Sequence, residues 1–117
     1  MFVIEDKNIL VLGLGLSGVA ATDLLLARGA KVVAVDGADG ETLRSQASKL
    51  RSRGAQVELG VSELPARHKF DFVVLSPGVP LDNPLVVEIL EKKIPLIGEL
   101  ELGYQQSLAL KIGRAHV

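Results

Sequence analysis

The feature that most constrains this chain is a glycine pattern, Gly13, Gly15 and Gly18, in the stretch VLGLGLSGVA. It follows the short apolar run NILVL and precedes a longer segment with helical spacing. A second apolar run, KVVAVD, closes the unit at Asp36. Strand, glycine turn, helix and strand in this order make one βαβ unit. In such a unit Gly13 permits the tight turn, Gly15 lets a ligand approach the backbone, and Gly18 lets helix and strand pack closely. The amides near Leu14, Gly15, Leu16 and Ser17 then face an anion, helped by the helix dipole. Ser17 either caps the helix or donates to a phosphate oxygen. The same glycines also suit a plain strand–helix turn, so the pattern alone does not name a ligand.

The alternation continues along the chain. The first helix, residues 17–28, places Val19, Thr22, Asp23 and Leu26 at helical spacing, with Leu24 and Leu25 widening the apolar surface, and Gly29 ends it. ETLRSQASKLRSRG predicts a second helix with an inward stripe of Leu43, Ala47 and Leu50, closed by Gly54. AQVELG is shorter and more polar, a strand expected near an edge. VSELPARHK is a polar loop in which Pro65 prevents a long helix. FDFVVLS is a fourth strand, and SPGVPLDNP a loop after it. Asn83 then caps a helix with Pro84 at its first position. That helix is predicted to reach about residue 93, with Leu85, Val86, Ile89 and Leu90 inward and Glu88–Lys92 paired outside. IPLIG is a fifth, short strand, and ELELGYQQSLAL starts another helix, apolar at Leu100 and Tyr104. The fold class expected is α/β: a Rossmann-like parallel sheet of about five strands with helices on both faces.

Composition narrows the function. With 117 residues, 48% of them apolar, one core is within reach. Thirteen basic and 14 acidic residues nearly cancel, and aromatics are 3%, which argues against a nucleic-acid partner. Cysteine is absent, so there are no disulfides and no thiolate metal sites. No apolar run approaches the roughly 20 residues of a membrane helix, and the N-terminus lacks the order of a signal peptide. A soluble intracellular protein, monomeric and with no nucleic-acid or membrane partner, is the expectation.

Ligands of such sheets bind beyond the carboxyl ends of the strands. Three features are predicted to meet there. The glycine loop is one. Asp36, ending the second strand, is another: it suits ribose hydroxyls or a nucleobase N–H, or simply the turn DGADG. Ser76, Pro77 and Gly78, ending the fourth strand, are the third. His68 and His116 lie apart and make no metal site, and Glu99 and Glu101 flank a helix start. No nucleophile with an adjacent base is visible, so no catalytic residue is assigned. No G-x-x-x-x-G-K-[ST] loop occurs either.

VLGLGLSGVAATDLLLARGAKVVAVD, then VVLSPGVPLDNPLV, then IPLIGELEL resemble the N-terminal domain of the Mur ligase family, in its D-glutamate-adding branch. The likeness covers about residues 5–106, and the order of the three motifs makes it specific. It implies a cytoplasmic enzyme of peptidoglycan synthesis, linked to cell division and cell shape. That enzyme uses ATP and magnesium to activate a carboxylate as an acyl phosphate. The N-terminal domain would hold the UDP end of UDP-N-acetylmuramoyl-L-alanine. By position, Leu16, Ser17 and the loop backbone of Gly13, Leu14, Gly15 and Gly18 would hold the diphosphate. Asp36 would read the uracil, and Ser76, Pro77 and Gly78 would line the sugar–diphosphate side. Some relatives follow the aspartate with a hydroxyl residue and an arginine; here Gly37 and Ala38 stand instead. The resemblance implies no cofactor within residues 1–106 and places ATP and magnesium in later domains. Residues 107–117 are expected to be a truncated tail, artefactual from about Lys111, because IGRAHV reads like a translated sequencing-library adapter. Two other readings remain open: an NAD(P)-binding domain of an oxidoreductase, and a non-catalytic binding module.

Overall fold

The computed structural model describes residues 4–65 and 69–98. It contains β1 (Asn8–Leu12), α1 (Leu16–Ala27), β2 (Lys31–Asp36), α2 (Glu41–Ser52), β3 (Gln56–Leu59), β4 (Phe72–Leu75), α3 (Pro84–Glu91) and β5 (Leu96–Gly98). The five strands form one sheet in the order β3-β2-β1-β4-β5, and every pairing is parallel. The chain is therefore the α/β Rossmann-like sheet expected of it. The strand AQVELG does lie at an edge. The helix expected after residue 98, His68, His116 and the 107–117 tail lie outside the described residues.

Apolar runs set the centre of the sheet. Ile9, Leu10, Val11, Ala34, Val35, Val73 and Val74 are fully buried. A strand covered on both faces has no need of polar alternation, so it reads as a continuous apolar run. One core lies between the sheet and the α1–α2 side, where Leu25, Ala47 and Leu50 meet Ile9, Val11, Ala34 and Val74. The other joins Leu85, Val86 and Ile89 of α3 to Leu10, Leu12, Val35 and Val73. Helices thus cover both faces.

Two helix faces differ from the sequence expectation. In α1 the buried residues are Gly18, Ala21, Thr22 and Leu25, while Val19, Leu24 and Leu26 pack against the same core only partly buried. Apolar residues surround this helix, so periodicity leaves its orientation open; close packing then selects the face with the small side chains. Thr22 fits there because its hydroxyl donates to the Gly18 carbonyl at 2.8 Å. Asp23 instead pairs with Arg53 at 2.6 Å. In α3, Leu90 is 56% exposed rather than inward. α3 otherwise starts as expected: Asn83 Oδ1 accepts from the Leu85 amide at 2.9 Å, with Pro84 at its first position.

Glu88 ties α3 to the loop before β4. It accepts from Lys92 Nζ at 2.6 Å and from the Leu64 amide at 3.0 Å. The Lys92 hydrogen bond, and next the Leu64 amide, hold its carboxyl below the ordinary glutamate value. The folded-state value therefore lies under the unfolded one. The stabilisation is complete above the ordinary glutamate range and disappears as pH falls through the folded-state value. Glu88→Gln is expected to lower the urea midpoint at neutral pH by a modest amount, since the pair is partly solvent-exposed. The difference should close only as pH falls through that folded-state value, below which both chains carry a neutral group. A gap that persists unchanged into acid would contradict this assignment.

Candidate functional site

The strand order reverses at β1. The chain leaves β1 into α1 on one face and leaves β4 toward α3 on the other. The carboxyl ends of these adjacent strands therefore diverge and leave a crevice. A cleft of about 580 Å³ opens there. Its walls come from three loops: Gly13 and Gly15 after β1; Asp36, Gly37 and Ala38 at the end of β2; and Ser76, Gly78, Val79, Pro80 and Asn83 after β4.

Gly13 joins two of these walls. Its φ is +96°, and a Cβ built on it would sit 2.8 Å from both Ser76 Cβ and Val79 Cγ2. Its amide donates to the Val35 carbonyl at 2.9 Å, while the Ser76 amide donates to the Leu12 carbonyl at 3.0 Å. The glycine loop and the SPG loop are thus held against each other. Gly15 is different. It is the N-cap of α1 with φ −67°, and a Cβ there would meet nothing within 4 Å. Its missing side chain leaves open space in the cleft.

α1 begins at Leu16, and no side chain caps it. The first amides of a helix have no intrahelical acceptor, so those of Leu16, Ser17 and Gly18 remain as donors at the positive end of the dipole. Among the lining residues there is no lysine or arginine. With no basic side chain in the lining, the donors this cleft could offer an anion are backbone amides, hydroxyls and one side-chain carboxamide. Ser76 adds a hydroxyl; the residue is 9% exposed and lines the cleft.

Asp36 is turned inward on the protein's own backbone. Its Oδ2 accepts from the Leu14 amide at 2.8 Å and its Oδ1 from the Ala38 amide at 2.9 Å. Leu14 itself is 1% exposed, its side chain packed in the α1-side core.

The predicted residues therefore divide by place. Gly13, Gly15, Asp36, Ser76 and Gly78 line the cleft together. Leu16, 86% exposed, and Ser17 occupy the first turn of α1. Gly18 is buried beneath that turn, and Pro77 is exposed beside Gly78. The sequence reading did not single out Val79, Pro80 or Asn83, nor give Gly37 and Ala38 a place in the site. Their adjacency to SPG and to Asp36 was the available signal. Among the described residues, no group of three His, Cys, Asp or Glu is placed to hold a metal ion, and no helix is long and apolar enough to cross a membrane.

Residues 7–98 match the model of a family described as Mur ligase MurD-like, N-terminal domain. The chain belongs to this family. Two curated relatives carry the name UDP-N-acetylmuramoylalanine–D-glutamate ligase. That of Latilactobacillus sakei is 42% identical over 106 residues, covering 90% of this chain and 23% of the relative. That of Bacillus cytotoxicus is 42% identical over 113 residues, covering 93% and 24%. This MurD-like domain thus spans about a quarter of their length. Among solved structures, the UDP-N-acetylmuramate-alanine ligase MurC of Thermotoga maritima superposes with a TM-score of 0.72 at 19% identity, over 88% of this chain and 23% of that one. The precorrin-2 dehydrogenase SirC gives 0.52 at 17%, over 74% and 42%. At those identities the likeness speaks for the fold alone. That it extends to a dehydrogenase is a reminder that this sheet serves unrelated chemistries.

Proposed function

We propose that this MurD-like domain binds the UDP end of UDP-N-acetylmuramoyl-L-alanine for a D-glutamate-adding ligase of peptidoglycan synthesis. The observation that carries the reading is the cleft at the β1–β4 switch point, where an uncapped helix N-terminus faces space that Gly15 leaves open. The relatives' names supply the substrate class. The diphosphate lies against the amides of Gly15, Leu16, Ser17 and Gly18, with the Ser17 hydroxyl beside them. Ser76, Pro77 and Gly78 flank the sugar–diphosphate side. The uracil lies toward the turn of Asp36, Gly37 and Ala38.

The described residues offer no metal-ligand cluster, and the sequence contains no G-x-x-x-x-G-K-[ST] loop. They do not fit ATP or magnesium, and we assign both to the rest of a full-length ligase. On its own the chain is a binding domain without catalytic activity, cytoplasmic and monomeric.

A thermal-shift comparison tests this. A ligand that binds only the folded chain stabilises it by about 2.7 kcal/mol at a hundred times its Kd. UDP or UDP-N-acetylmuramoyl-L-alanine is expected to raise the Tm, and NAD is not. A response to NAD without one to either uridine ligand would overturn the reading in favour of an oxidoreductase domain. Silence to all three would sink it as well.

A further inference from the structure

We propose that Asn83 is a second anchor for the diphosphate: its carboxamide Nδ2 donates to a phosphoryl oxygen from the wall built by the loop after β4. The assignment rests on the proposed diphosphate reading of this cleft. Every other polar group of Asn83 has a partner within the chain. Its N–H donates to the Pro80 carbonyl at 3.1 Å, and its carbonyl accepts from the Val87 amide at 3.0 Å. Its Oδ1 accepts from the Leu85 amide at 2.9 Å. The NH2 is left over, and among the described residues nothing accepts from it.

The cap fixes which way the carboxamide faces. A flipped amide would set the NH2 against the Leu85 N–H, donor against donor. Oδ1 therefore stays on the backbone, and Nδ2 is turned away from it. Pro84, next in the chain, has no N–H to compete for Oδ1. Asn83 is half-buried and lines the cleft. Of the described residues in that lining, it alone carries a side-chain nitrogen. A diphosphate presents more acceptor oxygens than the first amides of one helix can meet. In a lining without lysine or arginine, the remaining oxygens need neutral donors. The loop after β4 supplies the Ser76 hydroxyl and this carboxamide.

Substitution separates the cap from the ligand contact. Asn83→Asp and Asn83→Ser both keep an oxygen for the Leu85 amide, and asparagine, aspartate and serine rank together as N-caps. The urea midpoint of each variant should therefore stay close to that of the wild type. Binding, read by titration calorimetry, should not. Asn83→Ser removes the NH2 and is expected to weaken UDP and inorganic pyrophosphate alike, by roughly tenfold. Asn83→Asp also sets a carboxylate against the anion, and its loss should be larger, roughly a hundredfold. Wild-type affinity in both variants overturns the proposal and leaves the diphosphate reading standing. A loss of UDP affinity that spares pyrophosphate overturns it too, because the donor then faces the nucleoside. So does a loss confined to UDP-N-acetylmuramoyl-L-alanine, which places the donor on the sugar. Midpoints that fall along with affinity would make Asn83 a cap alone and also overturn it. If the wild-type chain binds neither UDP nor pyrophosphate, this contact and the proposed function fail together.

Discussion

Gly13→Ala is expected to destabilise the domain by about 3 kcal/mol, read as a lower urea midpoint with an unchanged slope. Two effects add. A non-glycine residue at φ +96° is held in a disfavoured region, at about 1–3 kcal/mol. The new Cβ also lands 2.8 Å from Ser76 Cβ and Val79 Cγ2. Ser76 Cβ sits on backbone that is bonded to β1 through the Ser76 amide, so it cannot rotate away. Relief requires the SPG loop to move off the glycine loop, and overpacking of this kind costs about 1–3 kcal/mol. A domain of ordinary stability, about 5–15 kcal/mol, would stay folded but lose a large share of its margin. An unchanged midpoint would show that the two loops do not meet as closely as described. Gly15→Ala serves as the contrast: with φ −67° and nothing within 4 Å, it should alter stability by no more than about 1 kcal/mol.

These two glycines look alike in the motif and differ in the structure, which shows where sequence reading stops. The strands were legible because NILVL, KVVAVD and FVVL are buried on both faces and carry no polar alternation. Edge position was legible for β3 because QVEL is polar on one side. The crevice was legible too, since strand–helix alternation places the glycine loop and SPG at the same sheet edge. Orientation of α1 was not. Its apolar residues surround the helix, so only packing against Ile9, Val11 and Val74 could decide that Ala21 and Leu25 face inward. Leu90 erred for a related reason: in a two-turn helix, Leu85, Val86 and Ile89 already fill the inner face.

The bonds that shape the cleft were hidden for a different reason. Leu14 and Asp36 lie 22 positions apart. Local spacing says nothing of a side chain that replaces a missing strand carbonyl. The sequence marks Asp36 as a polar residue at a strand end and leaves open what it faces. Tertiary structure answers that it faces the backbone of its own neighbours. The Gly13–Ser76 contact is equally non-local, and it gives the first glycine of the motif a second task besides the turn. Two of the motif's glycines therefore act at different interfaces, loop against loop at Gly13 and loop against open cleft at Gly15, while Gly18 is buried in the first turn of α1.

Gly15→Val is expected to abolish binding of UDP while leaving the fold in place. The backbone at Gly15, φ −67° and ψ −172°, is ordinary extended geometry that valine adopts without strain. Apart from Gly15 and its chain neighbours, nothing stands within 4 Å of the new Cβ, so the side chain projects into the cleft and not into the core. Stability should fall by about 1 kcal/mol at most, through a poorer N-cap residue. Binding has no such latitude. A diphosphate held by the first amides of α1 must approach this backbone closely, and the methyl groups of valine occupy that approach. Losing two charge-assisted hydrogen bonds at about 1.5–3 kcal/mol each would weaken affinity by at least roughly a hundredfold. Titration calorimetry with UDP measures the loss, and a near-native urea midpoint for the same variant excludes unfolding as its cause. Wild-type affinity in Gly15→Val would mean that the anion is not held at the α1 N-terminus. Loss of affinity with the midpoint kept would separate this glycine from Gly13 on experiment, as space for a ligand rather than space for the chain.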